Sequence, residues 1–393
     1  MSTPTTPWFP MTHDDAQEMV AAIRQIGGQY NTADPASIVA AIRSGNADKI
    51  PNGTLFTVPH AAYGNITFVT RARNLHKVAG DATRPTITIQ PLYLLSANGG
   101  STAATFQYDR PEAFAKVSEA IPAGTVVKFT AIAYGSWAAG DWHFTAENAI
   151  DAGKMLCLSG TQDNTLDTLT VKVFDTPKDT TASAEYAISA GDGEATVNLG
   201  TWGVELNHPQ RMRYGSNNEA QSNLFQFLNG DSGTGVMADV FEPQSDFDMM
   251  STDFSTLKGF VGGFSDEFRS YLGLCAIPNT ANNVHENAPY EKSTHYVHNG
   301  YFFLPSRMEI YGSTETANET DEAQFPYYRD IGTENADKLM HAKNASAPNS
   351  YWLRTPSASY ASGVRLCITG LGGGLDSRTA FLRHGAAPLG ILA

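Results

Sequence analysis

The end of this chain restricts its fold more than any other part. Tyr351-Trp352-Leu353-Arg354-Thr355-Pro356 opens the segment, and Gly385-Ala386-Ala387-Pro388-Leu389-Gly390-Ile391-Leu392-Ala393 closes it. From Leu353 to Ala393 there is no Glu, Lys, Gln, Met or Trp. Ordinary protein surface carries Lys and Glu. The segment is therefore either buried or held to a restricted residue set by something other than folding. Its two ends read as fixed framework, and the small-residue middle reads as a surface.

The rest of the composition narrows the class. At 393 residues the chain has room for two or three domains. Charged residues are 17%, while Gly, Ser, Thr, Asn and Ala are abundant. That mix suits a β-rich, loop-rich extracellular or virion protein better than a helical cytosolic enzyme. The net charge of −14, with no clustered Lys/Arg face, argues against nucleic-acid binding. Cys157, Cys275 and Cys367 are odd in number and far apart, which suits small buried hydrophobes better than a disulfide framework. No apolar run reaches transmembrane length, and the first residues have no basic n-region or apolar h-region. Neither membrane insertion nor a signal peptide is expected, and no cofactor motif is found.

Along the chain, residues 1–12 read as an extended Pro/Thr-rich leader. A helix capped by Thr12 follows, with Ala16, Met19, Val20, Ile23 and Ile26 at helical spacing before Gly27-Gly28. Asp34-Pro35 starts a second, with Ile38, Val39 and Ile42 on one face before Gly45. Residues 1–50 are thus an attachment or oligomerisation element, or simply pack on the nearest sheet. Over 51–102, Leu55–Val58, Ile66–Val69 and Thr86–Ile89 show strand alternation. Residues 103–198 read as an inserted all-β sandwich, with strands at Val126–Thr130, Lys154–Leu158, Leu169–Val173 and Ala195–Leu199.

From 199 onward the pattern changes. Ser216-Asn217-Asn218-Glu219 reads as a capping box for a helix burying Ala220, Leu224, Phe227 and Leu228 and ending at Gly230. Ser265 caps a shorter helix, and Ser306-Arg307-Met308-Glu309 is another capping box. Between them, Asp231–Leu257, Asn279–Asn299 and Ser313–Tyr351 read as long irregular loops, which are normally functional.

Candidate chemistry is thin. His295 and His298 have no third metal ligand by spacing and read as surface histidines. Glu242-Pro243-Gln244 has the outline of a sugar motif without its partner, and Asp246 and Asp248 lack the Gly and Glu of a calcium loop. The glycines of Gly370–Gly374 lack the Gly-Lys-Ser/Thr ending of a phosphate loop and read as a turn. No nucleophile elbow is present, and Cys367 has no evident His partner.

Tyr-Trp-Leu-Arg-Thr-Pro at 351–356, the glycine-rich middle and Gly-Ala-Ala-Pro-Leu at 385–389 resemble a phage and gut-bacterial family. That family carries a Trp-Leu-Arg-Ser-Pro motif before a closing Gly-Val-Arg-Pro-like strand. Arg213–Asn218, Leu224–Asn229 and Phe302–Gly312 extend the resemblance, which covers about 199–393 and extends more weakly to 51–95. It implies an α+β, β-rich multidomain protein whose C-terminal domain is C-type-lectin-like, the fold of the formylglycine-generating enzymes. Their paired active cysteines have no counterpart here, since only Cys367 falls in the relevant region. Some members of the family are variable proteins of diversity-generating retroelements, which randomise adenines in the gene's final segment. An AAY codon can then become many residues but never Glu, Lys, Gln, Met or Trp, the five missing here.

The resemblance thus implies a binding protein, not an enzyme. Its variable face would be Ser357, Ser359, Tyr360, Ser362, Arg365, Leu366, Thr369, Leu371, Leu375, Asp376, Arg378, Phe381, Arg383 and His384. Paratopes mix aromatic, Arg and small polar residues in this way. By strand alternation, Val364, Leu366 and Ile368 share one face and Arg365, Cys367 and Thr369 the other. The expected setting is a phage particle surface, the protein being made in the host cytoplasm. Expected partners are a host cell-surface protein or glycan, other virion proteins, and sister subunits in a homo-oligomer, guessed as a trimer. The alternative is a structural virion protein, a head decoration or fibre subunit with an invariant tail.

Overall fold

The computed structural model describes residues 34–108, 113–131, 140–159, 170–175, 181–202, 219–231, 240, 259–283, 291–315, 322–330, 338–357, 363–380 and 382–393. The Thr12 helix lies outside them. The chain is β-rich with few helices and several sheets. Its first strands are β1 (Leu55–His60), β2 (Gly64–Arg73), β3 (Lys77–Val78), β4 (Ile87–Pro91) and β5 (Phe106–Gln107). Then come β6 (Ala113–Lys116), β7 (Thr125–Ala131), β8 (Gly140–Ala146), β9 (Met155–Ser159), β10 (Thr170–Phe174), β11 (Ala184–Ala187), β12 (Ser189–Ala190) and β13 (Val197–Trp202). The last are β14 (Cys275–Asn283), β15 (Glu291–Gly300), β16 (Phe302–Phe303), β17 (Tyr351–Pro356), β18 (Gly363–Ile368), β19 (Gly374–Thr379), β20 (Arg383–His384) and β21 (Leu389–Leu392).

Both ends of the described chain meet in a five-stranded antiparallel sheet of order β1-β2-β4-β21-β16. β21 lies between β4 and β16, and all four of its residues are buried. Leu389 and Ile391 enter one hydrophobic cluster and Leu392 another. A strand covered on both faces needs a continuous apolar run. Burial therefore accounts for the missing Lys and Glu at the very end of the chain. Gly390 is required there, because a Cβ on it would fall 2.8 Å from the Phe302 ring.

α1 (Pro35–Arg43) forms as its sequence dictates. Asp34 accepts from the Ala36 N–H at 3.0 Å, proline opens the first turn, and Ile38, Val39 and Ile42 are buried. It packs in the larger cluster with Phe56, Phe68, Phe260, Phe264, Phe302 and Trp352. Inside that cluster His60 stacks on Phe260 at 4.9 Å and meets Phe264 edge-on at 4.6 Å. Its Nδ1 accepts from the Ala62 and Tyr63 N–H groups, so Nε2 donates to the Phe260 carbonyl at 2.9 Å. The ring is neutral, and burial holds its pKa below the ordinary histidine value. Gly263 makes room for it, since a Cβ there would lie 2.2 Å from the ring.

The inserted unit is two four-stranded sheets, β11-β10-β9-β6 and β12-β8-β7-β13. Val127, Phe129, Phe144, Leu156, Leu158, Val171, Val173 and Tyr186 form a cluster of their own. Its described strands run from Ala113 to Trp202, so the boundary expected at 103 is corrected. Phe106 and Tyr108 belong to the other core, where the Trp352 Nε1–H donates to the Phe106 carbonyl at 2.7 Å.

α2 (Asn223–Asn229) starts later than expected, capped by Ser222, whose Oγ accepts from the Phe225 N–H at 3.0 Å. Ser216–Asn218 lie outside the described residues, and Glu219 sits in a short 3₁₀ turn. α3 (Asp266–Arg269) is capped by Ser265 as expected. α4 (Arg307–Tyr311) has the full Ser306/Glu309 capping box and ends at Gly312 with φ 68°. α5 (Pro326–Asp330) follows. The Asn279–Asn299 loop expectation is corrected: most of it is the β14/β15 hairpin, with Asn279 opposite Tyr296.

Candidate functional site

The framework comes first. Every residue of β17 is buried, with Trp352 in the larger cluster and Tyr351 and Leu353 in the second. Arg354 on that strand is a hub. Its guanidinium makes a bidentate pair with Glu309 at 2.8 and 2.7 Å and also donates to the Pro278 and Leu304 carbonyls. Glu322 approaches at 3.2 Å. The Glu309 carboxylate also accepts from the Ser306 N–H at 2.7 Å and meets His76 Nε2 at 2.8 Å. Burial alone would raise the Glu309 pKa, but Arg354 and His76 together hold it at about 2. The capping-box glutamate and the arginine of the tail motif, read separately in the sequence, are one buried ion pair.

Next to this framework stands the sheet β17-β18-β19. Paired residues of antiparallel strands point to the same side. Leu366 pairs with Trp352 and Asp376, and Val364 with Arg378. Cys367 pairs with Tyr351 and Leu375, and Arg365 with Ser377. The expected alternation is present: Val364 and Leu366 enter the larger cluster with Ile368 packed beside them, and Cys367 enters the second. The middle of the sheet is therefore covered on both faces.

The fourteen-residue face divides accordingly. Ser357 and Leu366 are buried and face no solvent, which corrects their place on it. Ser359, Tyr360, Ser362 and Phe381 lie outside the described residues. Arg365 is half-buried and bidentate to Glu315 at 2.9 and 2.5 Å, with Arg307 on the same carboxylate. Leu375 packs on the second cluster behind it. Asp376 and Arg378 lie on the opposite face and pair at 2.7 Å. His384 is on their side, edge-on to Trp352 at 4.8 Å. Burial and the nearby Arg378 push its pKa down to about 4. Thr369 is tied to Ser350, whose Oγ accepts from its N–H at 3.1 Å. Leu371 is 57% exposed on the turn before β19, and Arg383 is exposed on β20. Gly372 and Gly373 close that turn at φ 60° and 89°, a conformation glycine adopts without strain. The structure thus brings Asp376, Arg378 and His384 together on one side of the sheet, with Arg365 and Leu375 on the other, while Leu371 sits on the turn before β19 and Arg383 on β20.

The other candidates resolve differently. His298 is buried, not a surface residue, and its ring lies 4.9 Å from Phe225. Its Nε2 is 3.5 Å from Glu219 Oε2, while Glu219 Oε1 accepts from the Leu304 N–H at 2.6 Å. Glu242–Gln244, Asp246 and Asp248 lie outside the described residues. The cysteines are free and buried, and burial pushes the Cys367 thiol up to about 11. A cavity of about 490 Å³ is lined among others by Asn229, Asp231, Asp266, Arg269 and Tyr301, and by Leu272, which bridges to Leu392 at the end of the tail. Neither this cavity nor the Glu219–His298 pair was visible as such in the sequence, because both join residues far apart in the chain.

No curated protein and no solved structure matches the chain. Residues 196–386 match a family described as a domain of unknown function, DUF6273. That stretch holds β17, β18 and β19 but not β1, β2, β4 or β21, so four of the five strands of the sheet that supports it come from outside. What the chain is similar to is therefore a domain of unknown function, matched over its C-terminal part.

Proposed function

We propose that this chain is a phage-encoded receptor- or ligand-binding protein. Its C-terminal part would be a C-type-lectin-like domain displaying the β19 edge and its flanking turns, diversified by a retroelement. The observation that carries this reading is the partition of the tail. Tyr351–Pro356 and Gly385–Ala393 are buried without exception, and the half-buried and exposed side chains lie between them. Rigid flanks around an accessible segment allow residues there to change without unfolding the protein. A small sheet built from both chain ends, with long connections around it, suits the lectin-like fold. The function is recognition, and its targets are a host cell-surface protein or glycan.

The test is deep sequencing of the gene's final segment across a population of its source. Substitutions concentrated at Leu371, Asp376, Arg378, Arg383 and the undescribed Ser359–Ser362, sparing Trp352, Arg354 and Gly385–Ala393, are expected. A uniform tail would overturn the diversified reading. One observation favours the structural virion protein as second reading: Ser357 and Leu366 are buried, so the centre of the sheet offers nothing to a ligand.

A further inference from the structure

Among the described residues β19 is the last strand of its sheet, with β18 on one side only. Its middle residue shows how that edge is satisfied. The Ser377 N–H donates to the Asp376 carboxylate at 2.8 Å, and the Ser377 carbonyl accepts from the Arg378 guanidinium at 3.2 Å. Both groups are thus met by side chains of their own strand. The Ser377 Oγ is buried with no hydrogen-bond partner. An edge held this way is a template for another strand. Asp376 and Arg378 flank Ser377 symmetrically and carry opposite charges, so the strand complements itself.

We propose that two copies of this chain pair through β19, antiparallel about a two-fold axis at Ser377. Asp376 of each copy then faces Arg378 of the other, and Leu375 faces Thr379. The ion pair within each strand is exchanged for two between strands, and the Ser377 main-chain groups bond to the opposite Ser377. No group satisfied in the monomer loses its partner. An interface in which one patch meets itself is the commonest way to build a dimer. The product is a continuous six-stranded sheet, with the two Thr369–Gly373 turns at opposite ends for bivalent contact. The patch is small, so the dimer is micromolar or weaker. The pairing belongs to this sequence, with Asp376 and Arg378 at these positions; it does not rest on the diversified reading, and a variant of the tail that replaces either residue would lose it.

Sedimentation velocity on the full chain over rising concentration tests it. The wild type is expected to pass from monomer to dimer. Asp376→Arg or Arg378→Asp alone sets like charges opposite each other twice and is expected to weaken the dimer about tenfold or more. An equimolar mixture of the two variants restores opposite charges at both positions and is expected to recover it, as is the double variant D376R/R378D. Circular dichroism melts verify that each variant is folded. A wild type that stays monomeric at its solubility limit overturns the proposal. So does self-association indifferent to both reversals, or folded variants that fail to recover on mixing.

Discussion

β17 and β19 flank the same strand, and each carries an arginine paired with a carboxylate. Arg354 on β17 is 1% exposed and its guanidinium makes four hydrogen bonds, two of them to Glu309 on another element. The fifth contact, to Glu322, is an ion pair at 3.2 Å. Arg378 on β19 has a side chain 41% exposed and pairs with its near neighbour Asp376. The chemistry is similar and the surroundings differ. A desolvated ion pair is costly to break because one charge is left stranded, whereas an exposed pair contributes little to stability. Stability is thus concentrated in the framework, and the edge pair contributes little to it.

The largest effect should come from separating the framework pair. Arg354→Ala leaves Glu309 buried beside His76 without its main partner. A loss of about 3–5 kcal/mol is expected in urea unfolding, enough to unfold much of the protein. Arg354→Lys keeps the charge but not the bidentate geometry and should recover only part of the loss. If R354A costs under about 1 kcal/mol, the framework is not held by this pair.

A smaller cost is expected at Gly263, where the framework meets His60. A methyl group there would lie 2.2 Å from the imidazole. Gly263→Ala should therefore cost about 1–3 kcal/mol as an overpacked core. A substitution without cost would mean that the His60 ring can leave its aromatic cage.

These residues also show what the sequence makes legible. The Asp34 cap, the Ser306/Glu309 capping box and the strand alternation at Val364–Ile368 are local, and local propensity carries them. The Arg354–Glu309 pair is not local: its members lie 45 residues apart. The same holds for the division of the tail residues between two faces. Alternation says that Leu366 and Arg365 point apart, but only the second cluster behind Cys367 shows that both faces are covered. Asn279–Asn299 reads as a loop because its polar, histidine-containing residues lack the apolar alternation of a strand, although the chain pairs there as a hairpin.

Acid should distinguish the regions next. The His384 pKa in the folded protein is about 4, below its ordinary value of 6.5. The unfolded chain therefore binds the proton first, and this contribution to stability is complete above pH 6.5 and is lost as pH falls toward 4. The loss is on the order of 2 kcal/mol, the full shift being discounted because His384 is only half-buried. Glu309, held at about 2, loses its contribution only as pH falls from about 4.5 toward 2. Urea midpoints should thus fall in two successive steps, and His384→Gln should make the upper one shallower without abolishing it, because buried His60 is also held below its ordinary value. A midpoint unchanged between pH 7 and 4.5 would mean that His384 keeps its ordinary pKa.

The smallest effect on stability is expected at the edge itself. Asp376→Ala and Arg378→Ala each remove one member of a half-exposed pair, and each should change unfolding free energy by no more than about 0.5 kcal/mol. Their consequence lies elsewhere. Each removal uncovers one main-chain group of Ser377, the N–H in the first variant and the carbonyl in the second. An uncovered edge recruits strands less selectively, because main-chain pairing no longer needs a matching charge. Alanine at both positions should therefore leave the melting profile nearly unchanged and convert charge-matched pairing into association that salt no longer weakens. A double variant that melts much earlier than the wild type would place β19 with the framework and remove the contrast with β17.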